Sequence, residues 1–506
     1  MADAYDVVIV GAGSAGCVLA ARLSEDPSRR VLLLEAGPDY PERASIPADI
    51  ASAFRPTYSH DWGWSSAPGA IGRSLRLPRG KIVGGCSAMN AAAALRGVPA
   101  DYDRWASLGN PGWSWADVLP VFRRMERDLD FDGPWHGGDG HLPIRRYRGD
   151  ELTIAHRAFF ESCERLGHAA VEDHNAPGAV GAGPLPVNAV DGVRQSAALG
   201  ILAGARARPN LTVRGGVRVD QVRIERGRVT AIRIAEPREV MATDRVILAA
   251  GSYASPALLM RSGIGPAAHL RELGLPVVSD VPGIGENLVD HPLCGLTWEA
   301  PRELVVESPI PLFQSVLTLR ASGSTGDPDL QVLARSVLAT DQSPTGANVM
   351  LFAALLKPRS RGRVRLHSAD PAAAPVIDLG FFSAPDDLAR LLVAMRVARR
   401  IARTPPFSEI ARAEIHPGAA VGDGDAELGA AVRARVETYH HPVGTCRMGP
   451  EQDPMAVVDG TGRVRAVDGL WVIDASIMPE IPSSNTHLPT TMVAERCAEM
   501  WIAAQR

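Results

Sequence analysis

The sequence predicts an α/β protein that opens with a nucleotide-binding, Rossmann-like unit and continues through a loop-rich remainder. Three observations carry this. A β-branched run near the start is followed by a glycine triplet and an apolar helix pattern. A second glycine loop lies at Gly84-Gly85. The 49 glycines and 40 prolines are many for an all-helical chain. With 506 residues, 46% of them hydrophobic, the chain can bury a large core and divide into more than one domain.

The formal net charge is −4, and Lys and Arg are spread without a dense run, which argues against nucleic acid as a partner. No stretch approaches the roughly 20 unbroken apolar residues that a membrane span needs. The opening MADAYDVVIV passes straight into a strand-like run without a basic n-region or cleavage site, so a cytoplasmic location is expected. Cys17, Cys86, Cys163, Cys294, Cys446 and Cys497 are dispersed with no CxxC pair. That pattern points to a reducing compartment and to no zinc or other metal site.

Tyr5 to Val10 reads as a parallel strand buried on both faces. Gly11, Gly13 and Gly16 follow in the spacing GxGxxG, and then a helix pattern with Cys17, Leu19, Ala20 and Leu23 inward. Gly11 makes the tight turn, Gly13 admits a pyrophosphate to the backbone and Gly16 lets helix and sheet approach. The phosphates would rest on the helix N-terminus. A second apolar run, Val31 to Leu34, ends in Glu35, an acceptor for a ribose diol that argues against a 2′-phosphate and hence against NADP. FAD and NAD are not separated by this fingerprint.

In LPRGKIVGGCSAMNAAAALRG (77–97) the Gly84-Gly85 backbone can touch a flat or anionic ligand, and Asn90 is expected to open an alanine-rich helix. Two such loops imply one long cofactor. Here the chain resembles the glucose–methanol–choline (GMC) family of flavin oxidoreductases. GKIVGGCSAMN is similar to its first signature, with Cys86 where Gly, Ser or Thr is usual, and GSYASPALLMRSGIG matches its second at every position. HDWGW, DYDRWASLGNPGWSW, GIGENLVDHP, SRGRVRLHSADP, YHHPVGTCRMG and the closing WVIDASIMPEIPSSNTHLPTTMVAERCAE follow in family order, covering essentially the whole chain.

The resemblance implies FAD. Gly11, Gly13, Ser14, Glu35 and Ala36 would hold its ADP half, with Val217 near the adenine. Gly84, Gly85 and Asn90 would pass along the pyrophosphate and isoalloxazine, Asp474 and Ala475 would meet the ribityl chain, and Thr490 would sit close to the ring. Ala15, Gly16, Trp64, Arg79, Val83, Cys86, Ala91, Ala93, Ala250 and Pro489 complete the implied set. Met89 stands where some members attach flavin through a histidine, so non-covalent FAD is expected. The resemblance also implies a discontinuous FAD-binding domain (1–155, 190–300 and 440–506) and a substrate domain (156–189 and 301–439) built on an antiparallel sheet covered by helices.

Local patterns agree in outline. Residues 211–235 alternate at period two with glycines at turns and read as hairpins, and 246–251 reads as a buried strand closing on glycine. Residues 386–404 read as an amphipathic helix with its arginines on the wet face. Residues 321–329 and 341–348 are turn-rich loops expected at a cavity mouth, and 131–143 is either a lid over the flavin or a dimer-contact loop.

Oxidising an alcohol with a flavin removes a hydride from carbon and a proton from the hydroxyl, and the protein must supply a base for the proton. Histidine suits this, being mostly neutral at physiological pH. His441, before Pro442, lies at the family's catalytic position and is expected to be the base. His487 is assigned the second position, which members fill with His or Asn, as its partner. His440 reads as packing, Cys446 as a buried thiol, and Asp290-His291 as support near the dimethylbenzene side. Trp62 and Trp64 are expected on the cofactor or the pocket wall. The substrate would be a small-molecule alcohol, uncharged or only weakly charged, and the electrons would pass to O₂ or a separate acceptor. A hydroxynitrile lyase-like protein and a fatty-acid photodecarboxylase-like enzyme are the competing readings. Monomer and homodimer both remain open.

Overall fold

The computed structural model describes residues 5–505 apart from 237–238, 308–309, 322–325 and 466. A five-stranded sheet has the spatial order Leu211–Arg214, Val31–Leu34, Val7–Val10, Val246–Leu248, Leu470–Val472. All its pairings are parallel. Val7–Val10 and Val31–Leu34 are fully buried, as β-branched and leucine-rich runs are when helices cover both faces of a sheet. Helices Ser14–Leu23 and His487–Ala504 pack together in its core. The two chain ends therefore meet beside the first glycine loop.

The second sheet has the order Glu414–His416, Pro292–Glu299, Ala347–Leu355, Leu330–Ala339, Ser315–Leu319, Gly181–Pro184, with Glu437–Thr438 paired to Pro292–Glu299. Its pairings are antiparallel. Side chains alternate across it with period two. Val332, Leu351 and Ala353 belong to a core shared with helices Ile154–Arg165 and Pro385–Arg403, whereas Leu333 and Phe352, a cross-strand pair, turn the other way.

Several expectations change. Leu211–Arg214 is no hairpin arm: it forms the edge of the parallel sheet, and the hairpin begins at Arg218–Glu225 with Arg228–Glu236. The Pro292–Glu299 and Glu437–Thr438 strands both lie in the antiparallel sheet, the first of them drawn from the 190–300 segment. The alanine-rich segment after Asn90 is not helical, and Ala92 takes φ +58°. Asn90 Oδ1 accepts from Ala92 N at 2.9 Å, and Ala94 N donates to Pro186 O at 2.8 Å. A side-chain acceptor two residues back offers the backbone an alternative to helix. On helix Pro385–Arg403, Arg399 is buried rather than wet, paired to Glu414 at 2.6 Å and Asp423 at 2.7 Å.

Candidate active site

The nucleotide side is built from backbone. Gly11 leaves the first strand at φ +101°, and a Cβ there would lie 2.6 Å from Ala249 O. The second glycine loop presses on the first: Gly84 N donates to Ala12 O at 2.7 Å, and a Cβ on Gly85 would lie 2.7 Å from Gly13 Cα. Helix Ser14–Leu23 starts here with no side-chain cap, leaving its first N–H groups free. Glu35 accepts from Ala12 N at 3.0 Å and Gly37 N at 2.9 Å, and its burial pushes the carboxyl up to about 7.

These loops line a cavity of about 890 Å³ that also holds the histidines. Of the expected cofactor residues, Gly11, Gly13, Ser14, Ala15, Glu35 and Ala36 line it on the nucleotide side together with Val217 and Ala250. Trp64, Arg79, Gly85, Cys86, Asn90, Ala91 and Ala93 line it from the second glycine region, and Asp474, Ala475 and Thr490 from the C-terminal segment. Gly16, Val83, Gly84 and Pro489 are not on its wall. Gly16 instead meets Gly11 O, from which a Cβ would be 1.9 Å, and Val83 is core. Asp474 has both oxygens engaged within the protein, by Gly251 N at 2.8 Å, Ser255 Oγ at 2.6 Å and Ser476 N at 2.8 Å. Trp62 stacks on Trp64 at 5.2 Å, and both line the cavity. The 131–143 segment does not: Phe131, Asp132, Trp135 and His136 border a separate groove, so it is not a lid here. Neither do the described residues of 321–329, nor 341–348.

The histidine side is built from side chains. The 439–445 loop is pinned on both flanks: Val289 pairs with Val443, Gly285 N donates to Thr445 O at 2.8 Å, and Ser252 Oγ donates to Pro442 O at 2.6 Å. Asp290 accepts from His441 N at 2.9 Å and from Thr438 Oγ1, and burial raises its carboxyl to about 6. His441 Nδ1 lies 3.0 Å from His291 Nδ1, its Nε2 lies 3.2 Å from Asn485 Nδ2, and the Tyr439 ring is 4.3 Å away. With the Asn485 amide donating, Nε2 carries the lone pair and Nδ1–H donates to His291. Burial, reinforced by His291, His440 and Arg79, holds His441 well below the usual imidazole range. His441 is thus a neutral imidazole with a defined basic atom.

Asn485, not His487, faces His441. His487 turns to the nucleotide side, where its Nδ1 lies 3.0 Å from Ser14 Oγ. The stretch SSNTHLPTTM holds both residues, and the alternation of His with Asn at the family's second position was the signal for Asn485. Asp290 and His291 are also closer to the chemistry than expected, both touching His441. His440, expected only to pack, lines the cavity as well, at φ +67°.

A family model described as GMC oxidoreductase matches residues 5–293 in its N-terminal part and 358–494 in its C-terminal part. The chain belongs to the GMC oxidoreductase family. It is an FAD-dependent oxidoreductase acting on CH–OH donors. Oxygen-dependent choline dehydrogenase from Brucella anthropi is 37% identical over 98% of this chain and 95% of its own length. The same-named protein of Photobacterium profundum is 35% identical over 99% and 93%. Pyridoxine 4-oxidase from Mesorbium loti superposes with a TM-score of 0.91 at 34% identity, covering 99% of each chain. A fungal aryl-alcohol oxidase shares the fold, with a TM-score of 0.85 at 24% identity over all of both chains. None of these relatives is a lyase or a decarboxylase. The GMC enzyme's cavity fits FAD on its own terms, since two touching glycine backbones, an uncapped helix start and Glu35 share it with a neutral histidine. Among the described residues, no helix is long and apolar enough to cross a membrane.

Proposed function

We propose that this GMC enzyme oxidises an uncharged, apolar-bodied alcohol to its carbonyl, with His441 as base, non-covalently held FAD and O₂ as acceptor. The contact of Asn485 with His441 Nε2 carries the proposal: one neutral acceptor and one amide donor face the same cavity at 3.2 Å. Bound FAD supplies the hydride acceptor. The substrate hydroxyl displaces the Asn485 amide as donor to His441 Nε2, which takes its proton, and a histidine held neutral by burial is already in the accepting form. Asn485 holds the hydroxyl oxygen through its amide, while His291 and Asp290 fix the imidazole and its backbone. Met89 lines the cavity in the second glycine region and has no nucleophilic nitrogen to bind flavin, which supports a non-covalent cofactor.

The wall beside His441 supports the substrate class. Leu185, Leu293, Phe313, Leu333 and Phe352 line the cavity there, from the inner face of the antiparallel sheet and the segments flanking it. Among the described residues the lining carboxylates are Glu35, Asp474 and Glu437. The first two are taken up by protein N–H and O–H groups, and Glu437 is exposed. A quaternary ammonium, the charged part of choline, finds no buried counter-ion. The acceptor rests on the oxygen-dependent and oxidase names of the relatives above.

The test is anaerobic stopped-flow reduction by aryl, furanic and aliphatic alcohols and by choline, followed by reoxidation with O₂ or artificial acceptors. Rapid bleaching by neutral alcohols and fast recovery in O₂ are expected. Faster bleaching by choline would overturn the substrate class, slow recovery in O₂ the acceptor, and a flavin left oxidised by every alcohol the whole reading.

A further inference from the structure

We infer that His487 anchors the phosphate portion of the dinucleotide and is not part of the proton-transfer pair. The inference rests on the FAD reading above. His487 is 8% exposed and lines the cavity, yet its Nε2 has no hydrogen-bond partner. A buried imidazole nitrogen without a partner costs free energy unless something in the cavity meets it. Its other nitrogen is committed, with Nδ1 lying 3.0 Å from Ser14 Oγ. When the Ser14 hydroxyl donates to Nδ1, Nε2 carries the ring hydrogen and points a donor into the cavity.

The surroundings say what that donor meets. Ser14 begins the 10-residue helix Ser14–Leu23, and His487 begins the 18-residue helix His487–Ala504. Neither start has a side-chain cap, so two sets of free N–H groups converge where the serine and histidine touch. Two helix starts and an imidazole N–H favour an anion. Ser14 follows Gly13, the residue whose backbone a pyrophosphate can approach. The hydroxyl of an alcohol substrate is instead served by Asn485 and His441. Among the described residues, two of the three histidines that line the cavity thus divide the work, His441 for the proton and His487 for the phosphate.

Deflavinated protein allows the test, with Kd for FAD, ADP and riboflavin measured by fluorescence and calorimetry. His487→Ala is expected to weaken FAD and ADP by roughly 10- to 100-fold, as losing a hydrogen bond to a charged group does. Riboflavin, without phosphate, is expected to change by less than about 3-fold, which also reports that the variant is folded. His487→Gln, which keeps an N–H donor, should recover most of the FAD affinity. Reduction of the FAD-saturated Ala variant should fall by less than about 10-fold, far short of a lost base. An unchanged FAD Kd, an equal loss for riboflavin, or a saturated variant as slow as His441→Ala overturns the assignment. Wild-type apoprotein that binds no FAD would instead remove the reading beneath it.

Discussion

The two sides of the cavity are made by different means. The nucleotide side is backbone: Gly11, Gly13 and Gly85 bring main chain within contact of main chain, and the helix from Ser14 leaves its N–H groups free. The histidine side is side chains gathered from far apart, with His291, Tyr439 and Asn485 each touching His441. A backbone cradle needs small residues in one short stretch. A proton-transfer site needs particular rotamers from segments about 150 residues apart, as His291 and His441 are. The first should therefore fail in cofactor binding and the second in chemistry.

The largest expected effect tests that division. His441→Ala should keep its FAD but lose reduction by alcohol by on the order of 10²- to 10⁴-fold in anaerobic stopped flow. Near-normal reduction would falsify the assignment of the base. In the wild type, burial holds His441 well below 6.5, so it stays neutral as the pH falls through that value. The reduction rate should accordingly be flat from neutral down past pH 6.5, and an acid limb centred at or above 6.5 contradicts the burial argument. Asn485→Ala comes next, with a loss of roughly 10- to 100-fold in reduction because a donor to the reacting oxygen is removed while the base remains. A larger loss than for His441→Ala would mean that holding the oxygen, and not removing its proton, sets the rate.

On the other side, Gly85→Ala should act through binding. Its φ of +52° and the 2.7 Å approach to Gly13 Cα leave no room for a Cβ. Pushing the two glycine backbones apart should lower FAD affinity by about 10-fold, roughly 1.4 kcal/mol, while the saturated enzyme keeps most of its reduction rate. Equal loss in both measurements would mean that the two sides are not separable.

The same contrast explains what could be read without coordinates. The strand–glycine–helix unit, Glu35 and the contribution of both glycine loops were legible because adjacent residues carry them. The identity of the partner to His441 was not. His487 and Asn485 are two positions apart at the entry of one helix, and only the turn into His487–Ala504 decides that one faces His441 and the other Ser14. The non-helical alanine segment is hidden for a similar reason: helix propensity gives way to Asn90 capturing Ala92 N and to the bridge between Ala93 and Val187. The edge strand Leu211–Arg214 looks like its hairpin neighbours, since period two does not distinguish parallel from antiparallel partners.

The smallest expected effect on chemistry lies outside the cavity, at the clasp that holds the 131–143 segment. Buried His136 sits between Asp128 at 3.0 Å, Glu126 at 3.3 Å and Asp173 at 2.8 Å. Glu126, Asp128 and His136 are close enough to hold a metal ion, but Arg96 already pairs with Glu126 and Arg146 with Asp128 at 2.8 Å. Burial alone would lower the His136 pKa, yet its hydrogen bonds to Asp128, Asp173 and Glu126 prevail and raise it to about 10. A folded pKa above the unfolded value means that the clasp stabilises fully below about pH 6.5 and fades as the pH climbs through about 10. His136→Ala removes one cation from acids that keep Arg96 and Arg146, and should cost about 1.5–3 kcal/mol near pH 7. The gap to wild type in thermal melts should narrow towards pH 10, while reduction of the loaded enzyme changes by less than about 2-fold. A gap that widens with pH would show that the arginines alone hold the acids, and a large loss of reduction would connect this segment to the cavity after all.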